Sequence, residues 1–306
     1  MPHERPSHQY PHAVDLELIP LTFDAAPDAA HFALTPQLAR HDGVLYGGTG
    51  AAAAVMLMEA ATQRDALWVA TQFIAQPRVG ARVELMATTL AAGKRIAQMQ
   101  VIARADGRVV FTALGATALP RPQGLTGQYD EMPSVSLPDD SAPLHAGPPM
   151  AQLRERGFGR NLEFREARLE RASASNAMAL WARLTPVGRP MTPAGVAFVA
   201  DMVPGAIARA AGKLGGGFSL DNALRFAAIP PTQWVLLVLR GDVASHGYGH
   251  GSFTAWSSDG VLLATGSQTA SMAHVFDVGD DAEIEAWRRS IESAAATAAA
   301  EGGTGD

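Results

Sequence analysis

Three polar residues in the last third of the chain, Asp201, Ser219 and Gln268, have the chemistry needed to hold a water molecule. Each lies in an otherwise apolar stretch, so we expect them on three separate buried elements. A carboxylate accepts a proton or orients water, while a serine hydroxyl and a glutamine amide fix water by hydrogen bonds. Because an isolated carboxylate is costly to bury, a functional role for Asp201 is favoured over a structural one.

An internal repeat places these residues in one half of a duplicated structure. Residues 66–117 align with residues 219–270 without a gap when they are shifted by 153 positions. Self-similarity at a fixed shift indicates a repeated architecture. The matching positions are Leu67 with Leu220, Phe73 with Phe226, Pro77 with Pro230, Asp106-Gly107 with Asp259-Gly260, and Thr112 with Thr265.

The two halves differ at the three polar positions. The first half carries small residues there, and the aligned pairs are Asp201 with Gly48, Ser219 with Ala66, and Gln268 with Gly115. The first half therefore lacks side chains that hold water at these positions. We predict one functional site for each pair of repeats.

Each half has the same series of predicted elements: an apolar helix, an extended segment that ends at a proline, and strands with a hairpin closed by Asp-Gly. Asp and Gly tolerate the positive φ that a two-residue hairpin turn needs. The predicted helices cover 50–61 and 196–211. The predicted strands are 14–23, which opens the fold, then 31–34, 67–75, 80–91, 94–105 and 108–117, and in the second half 164–168, 177–183, 217–226, 233–244, 248–257 and 261–274.

These elements predict an α+β fold of the double hotdog type, with two antiparallel β-sheets each wrapped around a central apolar helix. One central helix in each half argues against a β-sandwich and against a doubly wound α/β fold. The expected organisation is an N-terminal hotdog at 14–118, a proline-rich linker at 119–160, a C-terminal hotdog at 161–275 and a helical, frayed tail at 276–306.

Composition argues against several classes of function. A net charge of −6 without a run of Lys and Arg argues against nucleic acid as a partner. The chain has no cysteine, which excludes a thiolate nucleophile, a disulfide framework and a Cys-based zinc site. Its apolar stretches are too short to span a bilayer, and its N-terminus has no apolar signal-peptide core, so we expect a cytoplasmic protein without membrane contact.

We expect neither a cofactor nor a metal site. His246 and His250 have the i, i+4 spacing of a metal pair, but that spacing brings two side chains together on a helix. The segment between them is Gly-rich and is predicted to be a strand.

At several motifs the chain resembles the bacterial and peroxisomal type II acyl-CoA thioesterases. The resemblance covers roughly residues 14–275. The matching motifs are Leu45-Tyr46-Gly47-Gly48, Ala200-Asp201, Ser219-Leu220-Asp221, and Asp259-Gly260-Val261-Leu262-Leu263-Ala264 followed by Gln268.

The resemblance implies a thioester hydrolase that acts on an acyl-CoA substrate and releases a free acid and coenzyme A. Asp201, Ser219 and Gln268 occupy the positions of the family's water-activating triad. Backbone N–H groups at Gly47 and Gly48, before the first helix, are expected to stabilise the thioester oxygen.

The chain departs from the family at several positions near the triad. Family members often carry His and Arg after the catalytic Ser or Thr, where this chain has Asn222, Ala227 and Ala228. Arg225 and Arg240 are left as candidates for contacts with coenzyme A phosphates.

Two other functions stay open at this stage: a hotdog hydratase acting on enoyl thioesters, and a non-catalytic protein that binds acyl thioesters. A hydratase requires an Asp/His pair on one short segment, and the sequence near Asp201 has none. Each candidate residue could instead have a structural role, such as a turn at Gly47-Gly48 that lets a helix pack closely. We further expect a homo-oligomer, since hotdog sheets tend to pair edge to edge.

Overall fold

A computed structural model describes residues 10–144, 156–169, 176–287, 289 and 293, with the backbone alone at 273 and 274. Within the described residues up to 277, the α-helices are α1 Ala13–Leu18, α2 Gly47–Thr62, α3 Pro193–Val199 and α4 Val203–Ala210. The strands are β1 Thr22–Phe23, β2 Ala29–Ala33, β3 Asp65–Phe73, β4 Arg82–Ala92, β5 Ile96–Ala105, β6 Arg108–Ala118, β7 Leu162–Ala167, β8 Ala177–Leu184, β9 Lys213–Phe226, β10 Val235–Ser245, β11 Tyr248–Ser257 and β12 Leu262–Asp277.

The strands form one antiparallel sheet in the order β1-β2-β4-β5-β6-β3-β9-β12-β11-β10-β8-β7. Each half supplies six consecutive strands, and the halves meet where β3 pairs with β9, from Trp68 opposite Arg225 to Gln72 opposite Asp221. The α+β double hotdog fold is confirmed, and its two predicted sheets are joined edge to edge into one. As a result, the two halves share an interface at the centre of the molecule.

The repeat extends to irregularities in the strands. In β3 the pairing with β6 skips Leu67, and in β9 the pairing with β12 skips Leu220. These β-bulges lie at equivalent positions of the repeat. A bulge reverses the alternation of side chains along a strand. The side chains that follow the bulge therefore point to the same face of the sheet in both halves.

Helix α2 is buried along almost its whole length, from Gly47 to Ala60. Its alanine-rich, all-round apolar sequence requires an environment without water on any side. It begins three residues earlier than predicted, so that Gly47 and Gly48 form its first turn instead of a loop before it. The N-terminus of α2 thereby reaches the interface with the second half.

The prediction of one continuous helix over 196–211 is wrong. The segment forms α3 and α4 with a turn at residues 200–202 between them. Pro204 explains the break, because a proline inside a helix lacks the N–H donor and its ring clashes with the carbonyl four residues earlier. In the structure Pro204 lies in the first turn of α4, where proline is tolerated.

The prediction of an opening strand over 14–23 is also wrong in its first part. Residues 13–18 form α1, and only Thr22–Phe23 are extended as β1. The alternation of Val14, Leu16 and Leu18 resembles a strand, but over six residues it does not distinguish a strand from one helical turn and a half. In α1 the buried residues are Asp15 and Leu18, which lie three positions apart on one helical face.

The tail differs from its predicted boundary, because β12 continues to Asp277 and helical residues follow at 281–287. Trp287 in this segment packs against Phe276 and His41, with ring centroids 5.2 Å apart in both cases. Of the predicted helical, frayed tail at 276–306, residues 288, 290–292 and 294–306 lie outside the described residues. Within the described residues, no helix is both long and apolar enough to cross a membrane.

Candidate active site

Asp201 lies in the turn between α3 and α4 and is 7% exposed. Its Oδ1 atom accepts hydrogen bonds from Ser219 Oγ at 3.1 Å and from Gln268 Nε2. The structure therefore brings together all three polar residues that the sequence singled out. They come from a helix break and from the paired strands β9 and β12, whereas the sequence placed Asp201 inside a continuous helix.

Gln268 is held at both ends of its amide. Its Oε1 accepts a hydrogen bond from the backbone N–H of Val203 at 3.2 Å, at the start of α4. Its Nε2 donates to Asp201 and also to Ser219 Oγ at 2.7 Å. Because the side-chain carbonyl oxygen accepts the Val203 N–H, the orientation of the amide is fixed and its NH₂ group points at the carboxylate.

Asn222 is a fourth member of the cluster that the sequence analysis missed. It is fully buried, and its Nδ2 donates to Asp201 Oδ1 at 3.1 Å. Ser219 and Asn222 are three residues apart, an odd spacing that would place them on opposite faces of a regular strand. The bulge at Leu220 brings both to the same face. The repeat aligns Leu67 with Leu220, and this match at the bulge was the signal in the sequence that could have revealed the direction of Asn222.

The N-terminus of α2 comes from the first half and packs directly on Asp201. The backbone N–H of Gly48 lies near the Asp201 carboxylate and lowers its pKa. A Cβ atom at Gly47 would lie 2.4 Å from Asp201 Oδ2, and one at Gly48 would lie 2.3 Å from the Phe198 carbonyl oxygen. Both positions therefore require glycine for this close approach. The Gly48 N–H, predicted to face the thioester oxygen, lies near the carboxylate and stabilises its ionised form.

Burial raises the pKa of Asp201 to about 6, from an ordinary value of 3.8. Hydrogen bonds from Ser219, Asn222, Gly48 and Gln268 act in the opposite direction, because they stabilise the ionised form. At neutral pH the group is therefore mostly ionised and is a stronger base than an exposed aspartate.

A cavity of about 270 Å³ opens beside the cluster. Asp201, Ser219 and Gly47 line it, whereas Gln268 and Asn222 lie behind them. The rest of the wall is largely apolar and comes from both halves and from the tail; it includes Tyr46, Phe73, Phe158, Phe218 and Trp287.

Arg40 is the arginine that lines this cavity among the described residues. Its guanidinium lies 4.2 Å from the ring centroid of Phe218 and donates to the Gly217 carbonyl at 3.3 Å. Arg225, which the sequence analysis named, instead lies over the ring of Trp68 at 5.5 Å. Arg240 is exposed on β10. Neither of the two is among the described residues of the cavity wall, and Arg40 was missed because it precedes the repeat.

Comparison with known proteins agrees with the fold. Residues 35–118 match the acyl-CoA thioesterase N-terminal domain, and residues 138–272 match the acyl-CoA thioesterase C-terminal domain. The fold and the matched domains define a double hotdog thioester hydrolase. The chain belongs to the acyl-CoA thioesterase family.

Solved structures show the same architecture. A protein described as a putative thioesterase from Novosphingobium aromaticivorans is 27% identical, with a TM-score of 0.75 over 83% of this chain and 98% of the other. A hot dog fold protein from Alicyclobacillus acidocaldarius is 23% identical, with a TM-score of 0.71 over 86% and 98%. The acyl-CoA thioesterase II TesB2 from Mycobacterium marinum is 16% identical, with a TM-score of 0.65 over 83% and 96%. Among curated proteins, no sequence matches this chain.

Proposed function

We propose that this protein hydrolyses an acyl-CoA thioester to a free carboxylic acid and coenzyme A, using a water molecule held by Asp201 and Ser219. The observation that carries the proposal is the convergence of three polar side chains on Asp201 Oδ1 at the wall of an apolar cavity. A buried, ionisable carboxylate with this many donors is typical of a functional site.

The cluster assigns different tasks to the two oxygens of Asp201. Oδ1 is occupied by three side-chain donors, while Oδ2 faces Gly47 at the cavity. In our proposal, Oδ2 and the remaining lone pair of Ser219 Oγ accept the two O–H groups of one water molecule. That water then presents its own lone pair to the thioester carbon.

The reaction needs no covalent enzyme intermediate. The water oxygen bonds to the thioester carbon while Asp201 takes one proton, and the carbonyl π electrons move to oxygen. When the carbonyl reforms, the C–S bond breaks, and the proton on Asp201 passes to the departing sulfur. Gln268 does not line the cavity, so its proposed role is to position Ser219 and Asp201.

The developing oxyanion requires a hydrogen-bond donor close to the reacting carbon. We propose the backbone N–H of Gly47, which lies in the first turn of α2 and lines the cavity. The first turn of a helix has N–H groups without intrahelical partners, and the helix dipole favours negative charge there. Gly48 in the same turn supports Asp201 instead.

The apolar wall of the cavity fits an acyl chain, and we propose that Arg40, which forms an ion pair with Asp42 at 2.8 Å, contacts the phosphates of coenzyme A. Incubation of the protein with acyl-CoAs of increasing chain length and a thiol reagent tests the activity, because only hydrolysis releases a free thiol. We expect thiol release from wild type and from Asp242→Asn, an exposed control on β10, and a rate lower by roughly a hundredfold or more from Asp201→Asn.

The same experiment separates the two alternatives. A hydratase would consume the double bond of an enoyl-CoA without releasing thiol, and a binding protein would retain acyl-CoA unchanged. Titration with a non-hydrolysable acyl-CoA analogue should give one site per chain. Two equivalent sites per chain would contradict the assignment of the site to the second half.

A further inference from the structure

A second buried polar cluster lies at the opposite end of α2 from Asp201. It contains Glu59 from the last turns of α2, together with His12 and Asp15 from the N-terminal segment. Glu59 is eleven residues beyond Gly48, or roughly 16 Å along the helix axis at 1.5 Å per residue. The cluster is therefore separate from the proposed catalytic site, which does not use it.

The three residues converge as ligands do. One ligand atom from each lies within 4.8 Å of the other two. Tetrahedral zinc with ligand distances of about 2.0–2.2 Å places the ligand atoms about 3.4 Å apart. The cluster therefore has to contract by up to about 1.4 Å to close around one cation.

Each carboxyl group has one oxygen anchored and one without a partner. Thr192 Oγ1 donates to Asp15 Oδ1 at 2.6 Å, and the backbone N–H of Ala66 donates to Glu59 Oε1 at 2.9 Å. Asp15 Oδ2 and Glu59 Oε2 are buried with no hydrogen-bond partner. Anchoring of the second oxygen is what orients a carboxylate that binds a metal.

The charge of the cluster calls for a cation. Both carboxyl groups are fully buried, and no Lys or Arg within residues 10–144, 156–169 and 176–287 forms an ion pair with either. Two buried carboxyl groups without a Lys or Arg partner are costly when they are ionised, so a cation bound between them would stabilise the cluster.

We propose that His12, Asp15 and Glu59 bind one divalent transition-metal cation that fastens the N-terminal segment to α2. One imidazole and two carboxylates form a set that suits zinc, with water completing the coordination. The ring of Tyr10 packs edge-on against His12 at 5.0 Å, which restrains the imidazole. The site is structural, because it lies at the end of α2 that does not line the cavity.

Zinc titration of chelator-treated, untagged protein tests this inference by calorimetry and by thermal unfolding. We expect one zinc ion per chain, proton release on binding and a higher unfolding temperature. Glu59→Gln and His12→Ala should each weaken binding by more than about a hundredfold, which is the upper end of the loss caused by removing an outer-shell partner. A control with both His3→Ala and His8→Ala should bind as wild type does, which excludes adventitious binding by the other histidines of that segment.

The result is independent of the proposed catalysis, because Asp201→Asn should bind zinc with unchanged affinity. Absence of zinc binding by wild type would overturn the inference and leave a carboxyl pair that shares a proton. Binding that survives both Glu59→Gln and His12→Ala would overturn it equally. Wild-type titration alone decides the first outcome, so the test does not depend on the folding of any variant.

Discussion

The two halves of the molecule share strands, bulges and repeat spacing, yet of the equivalent positions 48/201, 66/219 and 115/268 only those in the second half carry polar side chains. At the position of Gln268 the first half has Gly115, where a Cβ would meet Met58 Sδ at 2.6 Å. Met58 belongs to the unbroken helix α2, which fills this space with apolar side chains. In the second half the helix is interrupted, and the interruption supplies Asp201.

The comparison shows that the bulge alone does not make a site. Both halves carry it, at Leu67 and at Leu220. The site forms where a helix break lies against a bulged strand and against a polar residue on the strand paired with it. The first half contributes from across the interface, through the glycine turn that begins α2.

The largest effect is expected from Asp201→Asn, which keeps the size of the side chain and removes the proton acceptor. We expect kcat/KM to fall by roughly a hundredfold or more. The unfolding temperature should stay the same or rise, because the variant no longer buries a charge. Full activity of the variant in the thiol-release assay would show that the second half is not the catalytic one.

The contribution of the first half is tested by Gly47→Ala. The new methyl group would overlap Asp201 Oδ2 and displace the carboxylate, so we expect kcat/KM to drop roughly tenfold to a hundredfold. Gly50→Ala in the same helix is the matched control, since the atoms nearest to its Cβ belong to the side chains of Phe73 and Phe111, at 3.2–3.3 Å, and not to Asp201. If Gly47→Ala kept the same kcat/KM as wild type and Gly50→Ala, α2 would have no role in the site.

The pH dependence follows from the raised pKa of Asp201. Below about pH 6, kcat/KM should fall about tenfold for each pH unit, because only the ionised carboxylate accepts a proton. Between about pH 3.8 and 6 the folded state binds more protons than the unfolded state, so this group's contribution to the free energy of unfolding decreases as pH rises through that window. Comparison of unfolding in wild type and Asp201→Asn isolates this contribution; identical pH profiles would contradict the assignment.

The smallest effect is expected from Asn222→Ala. Loss of one hydrogen bond to the ionised carboxylate raises the pKa of Asp201 further, and the acidic limb of the kcat/KM profile should move to higher pH by about half a unit. Above that limb, activity should stay within about threefold of wild type, because Ser219 and Gln268 still hold the carboxylate. A limb that does not move would limit Asn222 to a packing role.

Much of the fold was accessible from sequence because it depends on local and repeated patterns. Two examples are the hairpin at Asp106-Gly107 and the buried helix near Val55. The turn residues determine the first, and apolar residues on all faces of one segment indicate the second. The break before α4 was missed although Pro204 marks it, since the surrounding residues continue an apolar helical pattern. Asn222 was missed because its direction depends on a bulge that is set by strand pairing.

The sequence by itself determined the duplication, the antiparallel double hotdog fold and the three polar positions Asp201, Ser219 and Gln268. Tertiary structure alone decided that Gly48 turns its N–H to Asp201 and that Arg40 lines the cavity. The reason is physical: periodicity and turn chemistry act over a few residues of one chain segment. The environment of a buried carboxylate is instead set by groups far apart in sequence, which only packing brings together.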